Sequence, residues 1–256
     1  MVASHPWAVA VEQAAFRETP LWRLQSDMVN RALLERWLPT GLESVLKTDL
    51  FDECVSDGLY PVLALHAGRV AGIDISPAVV AAADWRHRDL ETTVSDVRAL
   101  PFERESFDAV VSNSTLDHLE GIDEVATALG EIQRVIRPGG RLVLTVDNPY
   151  HPLVAARNAL PAALARAIRP TPYPSAWTCG PNTLGGLLRR TGFQVLETTA
   201  ILHFPRVIAA VAGAFNGSLA QRRRVRGTLR GAECLERWPT RFVTGHFIAT
   251  LAVRPE

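Results

Sequence analysis

The feature that most constrains the fold of this chain is a regular alternation of short apolar runs with helical patterns between residues 44 and 148. Three of the runs read VAGIDI, AVVS and RLVLTV. Near-continuous apolar runs of this length are typical of strands that are buried on both faces of a sheet. Strand–helix alternation at this spacing indicates a parallel sheet with helices packed on both sides. We therefore expect an α/β fold with a Rossmann-like, doubly wound sheet.

The same pattern predicts the order of the elements. Strands are predicted over residues 44–47, 70–75, 92–95, 109–112, 141–146, 194–202 and 242–253, and helices over 21–38, 77–83, 123–136, 183–190, 207–215 and 220–238. A single domain is expected, with a helical N-terminal lid in 1–41 and a cofactor-binding core in 42–148. Residues 149–256 are expected to add substrate-side helices and the last two strands of the same sheet. That sheet should be mostly parallel, with an antiparallel edge strand.

Composition narrows the class of protein. The 256 residues carry 27 basic and 27 acidic side chains, so the basic excess usual for a nucleic-acid binder is missing. The three cysteines are scattered without a CxxC spacing, which indicates neither a disulfide framework nor a metal site. No signal-peptide pattern and no apolar run long enough to cross a membrane is evident. We expect a cytoplasmic protein without a membrane or nucleic-acid partner.

The strongest local signal is the segment VAGIDISP, in which Asp74 stands at the end of the second predicted strand. An acid at this place in a doubly wound sheet can accept hydrogen bonds from both hydroxyls of a nucleoside ribose. Ser76 and Pro77 are suited to the cap and first position of the next helix. The alternative is that Asp74 is an ordinary acid at a strand end that only caps the next helix.

A second acid, Asp96, follows the third predicted strand and can accept from an exocyclic adenine amine. With the later segments SFDAVVSN and RVIRPGG, the chain resembles the class I S-adenosylmethionine-dependent methyltransferases of the small-molecule type. The resemblance implies S-adenosylmethionine as cofactor, with Asp74 and the adjacent Ile75 at the ribose. It also implies Asp96 near the adenine amine and Val97 beside the ring. The cleft beyond the fourth strand would be lined by residues at the end of that strand: Ser112, Asn113 and Ser114.

The first motif departs from this family. Its members usually have an acid and a Gly-x-Gly-x-Gly loop after the first strand, whereas this chain reads VLKTDLFDEC. Lys47 stands at the position of the acid, and Asp49, Phe51 and Glu53 replace the three glycines. Lys47 could attract the methionyl carboxylate of the cofactor. The acids at positions 49, 52 or 53 could receive its ammonium group, with Gly58 supplying a close backbone approach.

Two explanations of this segment remain open. In one, the loop is rebuilt and still binds S-adenosylmethionine, and the chain methylates a small molecule at oxygen, nitrogen or carbon. In the other, the loop has decayed, and the fold serves a cyclase, an isomerase or a non-catalytic binding protein. The sequence indicates neither the acceptor nor the oligomeric state.

Two histidines are the candidate catalytic residues. His118, in the segment STLDHL, is placed where related enzymes have a residue beside the sulfonium, and His151 follows the fifth strand at the ligand-binding edge of the sheet. A neutral imidazole could serve as a general base, and a packing role is the alternative for each. Asp117 is interpreted as an orienting residue. Methyl transfer does not require a base, because alignment of nucleophile and methyl supplies much of the rate.

Two further segments have open interpretations. The apolar residues Trp7, Phe16, Leu21 and Trp22 could form a lid over substrate or could pack in the core. The arginine-rich run 222–226, together with Arg230, could bind an anionic group of the substrate or could be a solvated helix face.

Overall fold

The structure is a computed structural model that describes residues 20–160, 177–203, 227 and 231–256. Trp7 and Phe16, the predicted helix over 207–215, most of the one over 220–238 and the arginine-rich run lie outside the described residues. The side chains of Leu21 and Trp22 also lie outside them.

Seven strands form one sheet in the described part of the chain. They are β1 (Leu42–Lys47), β2 (Ala67–Asp74), β3 (Glu91–Val94), β4 (Phe107–Asn113), β5 (Ile136–Asp147), β6 (Gln194–Ile201) and β7 (Phe247–Val253). Their order is β3-β2-β1-β4-β5-β7-β6. Neighbours pair in parallel from β3 to β5, whereas β7 is antiparallel to both β5 and β6. This confirms the doubly wound, mostly parallel sheet with an antiparallel strand near one edge.

Helices flank the sheet on both sides. They are α1 (Pro20–Trp37), α2 (Phe51–Val55), α3 (Tyr60–His66), α4 (Pro77–Arg86), α5 (Ile122–Val135), α6 (Pro152–Ala159), α7 (Pro181–Arg190) and α8 (Arg241–Thr244). At the start of α4 the Ser76 hydroxyl accepts a hydrogen bond from the Val79 amide at 3.5 Å, and Pro77 is in the first turn, as predicted. No described helix combines the length and apolar character needed to cross a bilayer.

The observed elements differ from the predicted ones at two places. The short helices α2 and α3 between β1 and β2 were not predicted, because five and seven residues are too few to show a helical period. The predicted strand over 242–253 was wrong at its start. Residues Arg241–Thr244 form α8, whose turn closes when the Gly245 amide donates to the Arg241 carbonyl at 2.8 Å.

Two hydrophobic clusters cover the two faces of the sheet. Alternate residues along one strand belong to opposite clusters, as Val45 and Leu46 show in β1, and both side chains are fully buried. The first cluster includes Trp37 of α1, and the second includes Leu129 and Ile132 of α5. Burial on both faces explains why the strands read as continuous apolar runs.

The parallel strands bring four polar residues to one edge of the sheet. Lys47, Asp74, Asn113 and Asp147 are the last residues of β1, β2, β4 and β5. Because the carboxyl ends of parallel strands meet at the same edge, the loops that follow these residues share one cleft region. The residues that the sequence analysis predicted to contact a cofactor or a methyl acceptor are the last residues of the strands at this edge or follow them.

Candidate cofactor and acceptor site

Asp74 is the centre of the predicted nucleoside end of the site. Its Oδ2 accepts a hydrogen bond from the Leu50 amide at 3.1 Å, and its Oδ1 accepts one from the Ser76 amide at 2.8 Å. Burial raises the pKa of this carboxyl, and the two amide bonds oppose the rise. Each oxygen keeps one acceptor position, so the carboxylate can still receive both hydroxyls of a ribose.

Leu50 and Gly72 fix the loop after β1 against β2, a contact that the sequence analysis missed. The Leu50 side chain is fully buried, and a Cβ on Gly72 would lie 2.4 Å from its Cδ2. The loop is therefore held through the Leu50 side chain as well as through its amide bond to Asp74. A glycine inside an apolar strand was the available signal, since it often marks a close approach of this kind. Ile75, the next residue after Asp74, is 39% exposed at the same edge.

Asp96 is oriented by Arg98, which the sequence analysis did not predict. The Arg98 guanidinium donates to Asp96 through Nε at 3.0 Å and Nη2 at 2.6 Å, and the Arg98 amide donates at 2.8 Å. These bonds hold the pKa of the Asp96 carboxyl below its usual range, so it is ionised at neutral pH. Val97 is buried in the core cluster between them. An adenine amine would have to share the carboxylate with Arg98.

Lys47 lies buried where the family has its first acid. Its side chain is 1% exposed, and Nζ lies 2.9 Å from the Asp49 carbonyl, 3.0 Å from Asp49 Oδ1 and 2.8 Å from Glu53 Oε2. Burial lowers its pKa, but the neighbouring carboxylates outweigh burial and the pKa is raised. The buried ammonium thus donates two hydrogen bonds to Asp49 and is ion-paired with Glu53. The predicted contact of Lys47 with a cofactor carboxylate is thus not available in this arrangement.

Glu53 and Gly58 form the floor of this cluster. Glu53 is fully buried, and its Oε1 accepts from the Leu59 amide at 2.8 Å. Gly58 has φ +54°, and a Cβ there would lie 2.5 Å from Glu53 Oε1. The close approach expected from Gly58 therefore exists, but it is made to a carboxylate of this chain and not to a cofactor. Glu53 is likewise occupied and not free to receive a ligand ammonium.

Asp49 and Asp52 remain as candidate partners for a ligand cation. Asp49 is partly exposed, and its Oδ2 lies 3.4 Å from the Thr115 hydroxyl at the turn after β4. Burial raises the pKa of Asp52 to about 8, against the attraction of Lys47. With every acid ionised, three carboxylates surround one ammonium, so this end of the site has an excess of negative charge. That excess suits a ligand that carries cationic groups.

The turn after β4 is tied to both neighbouring strands. The Thr48 hydroxyl lies 3.0 Å from the Ser112 hydroxyl and 2.9 Å from that of Thr115. Asn113 accepts from the Thr145 hydroxyl at 2.8 Å. Ser114, at φ +53°, donates its amide to the Thr145 carbonyl at 3.1 Å. The predicted cleft residues Asn113 and Ser114 are therefore held in place by β5.

The acceptor side of the edge brings together residues from β5, α6 and the start of β7. His151 is buried, its ring centroid lies 4.9 Å from that of His246, and its Nδ1 has no hydrogen-bond partner among the described residues. Burial lowers the pKa of His151, so the ring is neutral at pH 7. Asp147 accepts from Arg157 at 2.7 Å and lies 3.7 Å from His246 Nε2.

The two predicted catalytic histidines lie on different elements. His118 is partly buried in the turn Leu116–His118, whereas His151 caps α6. Asp117, which precedes His118 in the same turn, is 1% exposed, and burial raises its pKa to about 6. Within the described ranges, no three histidine, cysteine or acidic side chains are arranged to hold a metal ion.

Comparison with known proteins identifies the family. Residues 54–144 match the model of a family described as "Methyltransferase domain". The chain is 33% identical over 160 residues to the 2-phytyl-1,4-naphtoquinone methyltransferase of Synechococcus elongatus, covering 57% of this chain and 67% of that protein. It is 34% identical over 144 residues to the phthiotriol/phenolphthiotriol dimycocerosates methyltransferase of Mycobacterium leprae, covering 53% and 52%.

A solved structure shows the same fold. The [4+2]-cyclase SpnF superposes with a TM-score of 0.55 at 19% identity, over 88% of this chain and 80% of that one. The chain spans between a quarter and about half of the first three curated relatives it matches, with shares of 26%, 52% and 38%. The sequence matches are to methyltransferases, and the sheet order and the strand-end acids are those of the same family. The chain belongs to the class I S-adenosylmethionine-dependent methyltransferase family.

Proposed function

We propose that this protein is an S-adenosylmethionine-dependent methyltransferase that acts on a small molecule. The observation that carries the proposal is the Asp74 carboxylate at the carboxyl end of β2, fixed by amides on both sides with an acceptor position left on each oxygen. A nucleoside ribose offers the two hydroxyls that this arrangement can receive.

The residues of the site fit the cofactor of the family at both ends. Asp96, ionised and oriented by Arg98, offers an acceptor for the adenine amine. Asp49 offers negative charge for the ammonium and sulfonium groups, and Asp52 would add to it on losing the proton that its raised pKa keeps there at neutral pH. The proposed binding set is thus Asp74, Ile75, Asp96, Val97, Asn113, Ser114 and Asp49, with Lys47 holding the acids in place.

The bound cofactor supplies an activated methyl group on a sulfonium. The chain itself contributes alignment, because the turn after β4 is fixed by hydrogen bonds from Thr48 and Thr145. Neutral His151 can accept a proton at Nδ1, and His118 lies in the turn after β4. Both histidines are proposed to face the acceptor.

A small-molecule acceptor is supported by the relatives. The names of two matched proteins specify a phytyl naphthoquinone and phthiotriol dimycocerosates, which are small organic molecules. The neutral overall charge of the chain offers no electrostatic attraction for a nucleic acid.

Calorimetry with S-adenosylmethionine and S-adenosylhomocysteine tests the proposal. We expect binding of both at micromolar concentrations. Incubation with S-adenosylmethionine labelled in its methyl group and a panel of phenols, amines and quinols should then transfer label to at least one acceptor. Absence of binding by either nucleoside at millimolar concentration would overturn the proposal.

The second candidate is a family member that has abandoned methyl transfer for cyclisation, isomerisation or binding alone. The buried Lys47 cluster favours it, because the glycine loop usual at the methionine end is replaced by paired side chains. Tight binding of S-adenosylmethionine without turnover of any acceptor in the panel would support this candidate over the first.

A further inference from the structure

Asp117 is a buried carboxylate with one free oxygen on the acceptor side of the site. It lies in the turn Leu116–His118 that follows β4, and its side chain is 1% exposed. The Ser114 hydroxyl donates to Oδ2 at 2.7 Å, which fixes the orientation of the carboxylate. Oδ1 has no hydrogen-bond partner among the described residues.

An unpartnered carboxylate oxygen is unfavourable in a buried position. Burial removes the water that would hydrogen-bond to such an oxygen, and this loss is larger for a charged group than for a neutral one. His118 stabilises the ionised form of the Asp117 carboxyl, and Asp147 opposes it. The cation nearest to Asp147 is Arg157, which already donates to that acid. Oδ1 therefore faces no donor that the described chain supplies.

The turn that carries Asp117 lies on the acceptor side of the site. The Trp177 amide donates to the Asp117 main-chain carbonyl at 3.1 Å, so Trp177 lies against this turn. Thr115, in the same turn, reaches towards the loop that carries Asp49. Asp117 thus lies between the methionine end of the cofactor site and the segment expected to contact substrate.

We propose that Asp117 Oδ1 receives the proton of the methyl acceptor, and that the acceptor is therefore a hydroxyl or an amine. This inference rests on the proposed function. The acceptor oxygen or nitrogen forms a bond to the methyl carbon while the carbon–sulfur bond breaks, and that electron pair stays on sulfur. The acceptor proton passes to Oδ1. The products are the methylated acceptor, S-adenosylhomocysteine and a protonated Asp117, which returns its proton to solvent when the products leave.

Asp117 is better placed for this role than Asp147. The Asp147 carboxylate is already paired with the Arg157 guanidinium. Burial raises the pKa of Asp117 to about 6, which brings the carboxylate closer to the pH at which a general base works best. Negatively charged Asp147 beside it disfavours an anionic acceptor such as a phosphate or carboxylate.

The matched variants Asp117→Asn and Asp123→Asn test the inference. Asp123 is an exposed acid in the first turn of α5, six residues away. With a phenol or amine accepted by the wild-type protein, D117N should lose about 100- to 10,000-fold in kcat/KM. D123N should equal the wild type. Calorimetry with S-adenosylhomocysteine should give the same Kd for all three proteins within about twofold, which excludes a folding defect in D117N.

Two readouts separate a proton acceptor from a structural role. In the wild type, kcat/KM should fall as the pH drops below about 6, and this acidic limb should vanish in D117N. In carbon-13 NMR, the Asp117 carboxyl signal, assigned by its loss in D117N, should shift on addition of the accepted phenol or amine. Addition of its methylated product, which lacks the transferred proton, should leave the signal in place.

The failures of the two proposals are distinguishable. Undiminished turnover by D117N, or transfer to carbon nucleophiles alone, would overturn the role of Asp117 while the proposed function stands. Absence of nucleoside binding by the wild type would instead overturn the proposed function, and this inference with it.

Discussion

The proposed nucleoside end and the proposed methionine end of the site are built on different physical principles. At the nucleoside end, Asp74 is held by main-chain amides and Asp96 by a partly exposed arginine. At the methionine end, Lys47 and Glu53 are buried and hold each other in place. The first arrangement depends on backbone geometry that many sequences can supply, whereas the second depends on particular side chains.

The family match reflects the same division. It covers residues 54–144 and so includes Asp74 and Asp96, but it begins directly after the segment from Lys47 to Glu53. The acids of the proposed nucleoside end therefore lie within the family match, whereas the segment from Lys47 to Glu53 lies outside it. Variants at the proposed nucleoside end should therefore affect nucleoside binding. Variants at the proposed methionine end should affect stability or binding of the amino-acid moiety.

The largest effect is expected from Lys47→Met. Removal of this cation leaves Glu53 buried without its partner, which should destabilise the fold by about 3–5 kcal/mol. The exposed pair Arg69–Glu91 provides the control, and Arg69→Met should cost no more than about 1 kcal/mol. Urea unfolding followed by circular dichroism measures both. Equal midpoints for the two variants would show that the buried pair does not hold the loop.

Asp74→Asn should weaken nucleoside binding by about 10- to 100-fold, because a charge-assisted acceptor becomes a neutral amide. Adenosine and S-adenosylhomocysteine should lose the same factor, since both contain the ribose. Asp84→Asn, at an exposed position on α4, is the matched control and should bind as the wild type does. Calorimetry decides the point, and a loss confined to S-adenosylhomocysteine would place Asp74 elsewhere in the site.

Gly58→Ala should destabilise the protein by about 1–2 kcal/mol, because an L-residue at φ +54° is strained. The new methyl group would also press on Glu53 Oε1. Gly186→Ala in α7, where a Cβ meets no atom within 4 Å, should be neutral or stabilising. Thermal unfolding should therefore give Tm shifts of opposite sign. A shift of the same sign in both would contradict the packing of Gly58 on Glu53.

The smallest effect concerns Asp52 and pH. Its raised pKa means that the folded chain keeps a proton there, so this contribution to stability is complete below about 4 and is lost as the pH rises through about 8. If a ligand ammonium pairs with Asp52, binding of S-adenosylhomocysteine at pH 7 should release close to one proton. Binding of adenosine should release none.

Calorimetry in two buffers of different ionisation enthalpy measures this proton release. Asp52→Asn should abolish it and should weaken S-adenosylhomocysteine but not adenosine. Proton release of the same size with adenosine would assign the titrating group to the nucleoside end instead.

The position of Asp74 at the end of β2 could be predicted because each of its signals is local. An apolar run that ends in Asp74 contains the strand, the buried faces and the position of the acid within a few residues. The burial of Lys47 could not be predicted in this way, because it depends on two short helices that bring Glu53 and Gly58 back under the strand end. Lysine at a strand end is ordinarily exposed, so its residue type gave the opposite indication.

The acceptor side lies between these cases. His151 was predicted from its place after the fifth strand, and it does lie at that edge of the sheet. The unpartnered oxygen of Asp117 was not predicted, because nothing in STLDHL indicates which carboxylate oxygen Ser114 will occupy. Such asymmetry between two atoms of one side chain is visible only in three dimensions.

The packing of Gly58 on Glu53 has a consequence for how this loop can change over time. Lys47, Glu53 and Gly58 each require the other two: the cation needs its anion, and the anion needs the space that a missing Cβ leaves. Single substitutions at these positions should be deleterious, whereas combined ones should be tolerated better than their sum. An engineer who wishes to convert this loop into a glycine-rich one should therefore have to exchange the three residues as a set.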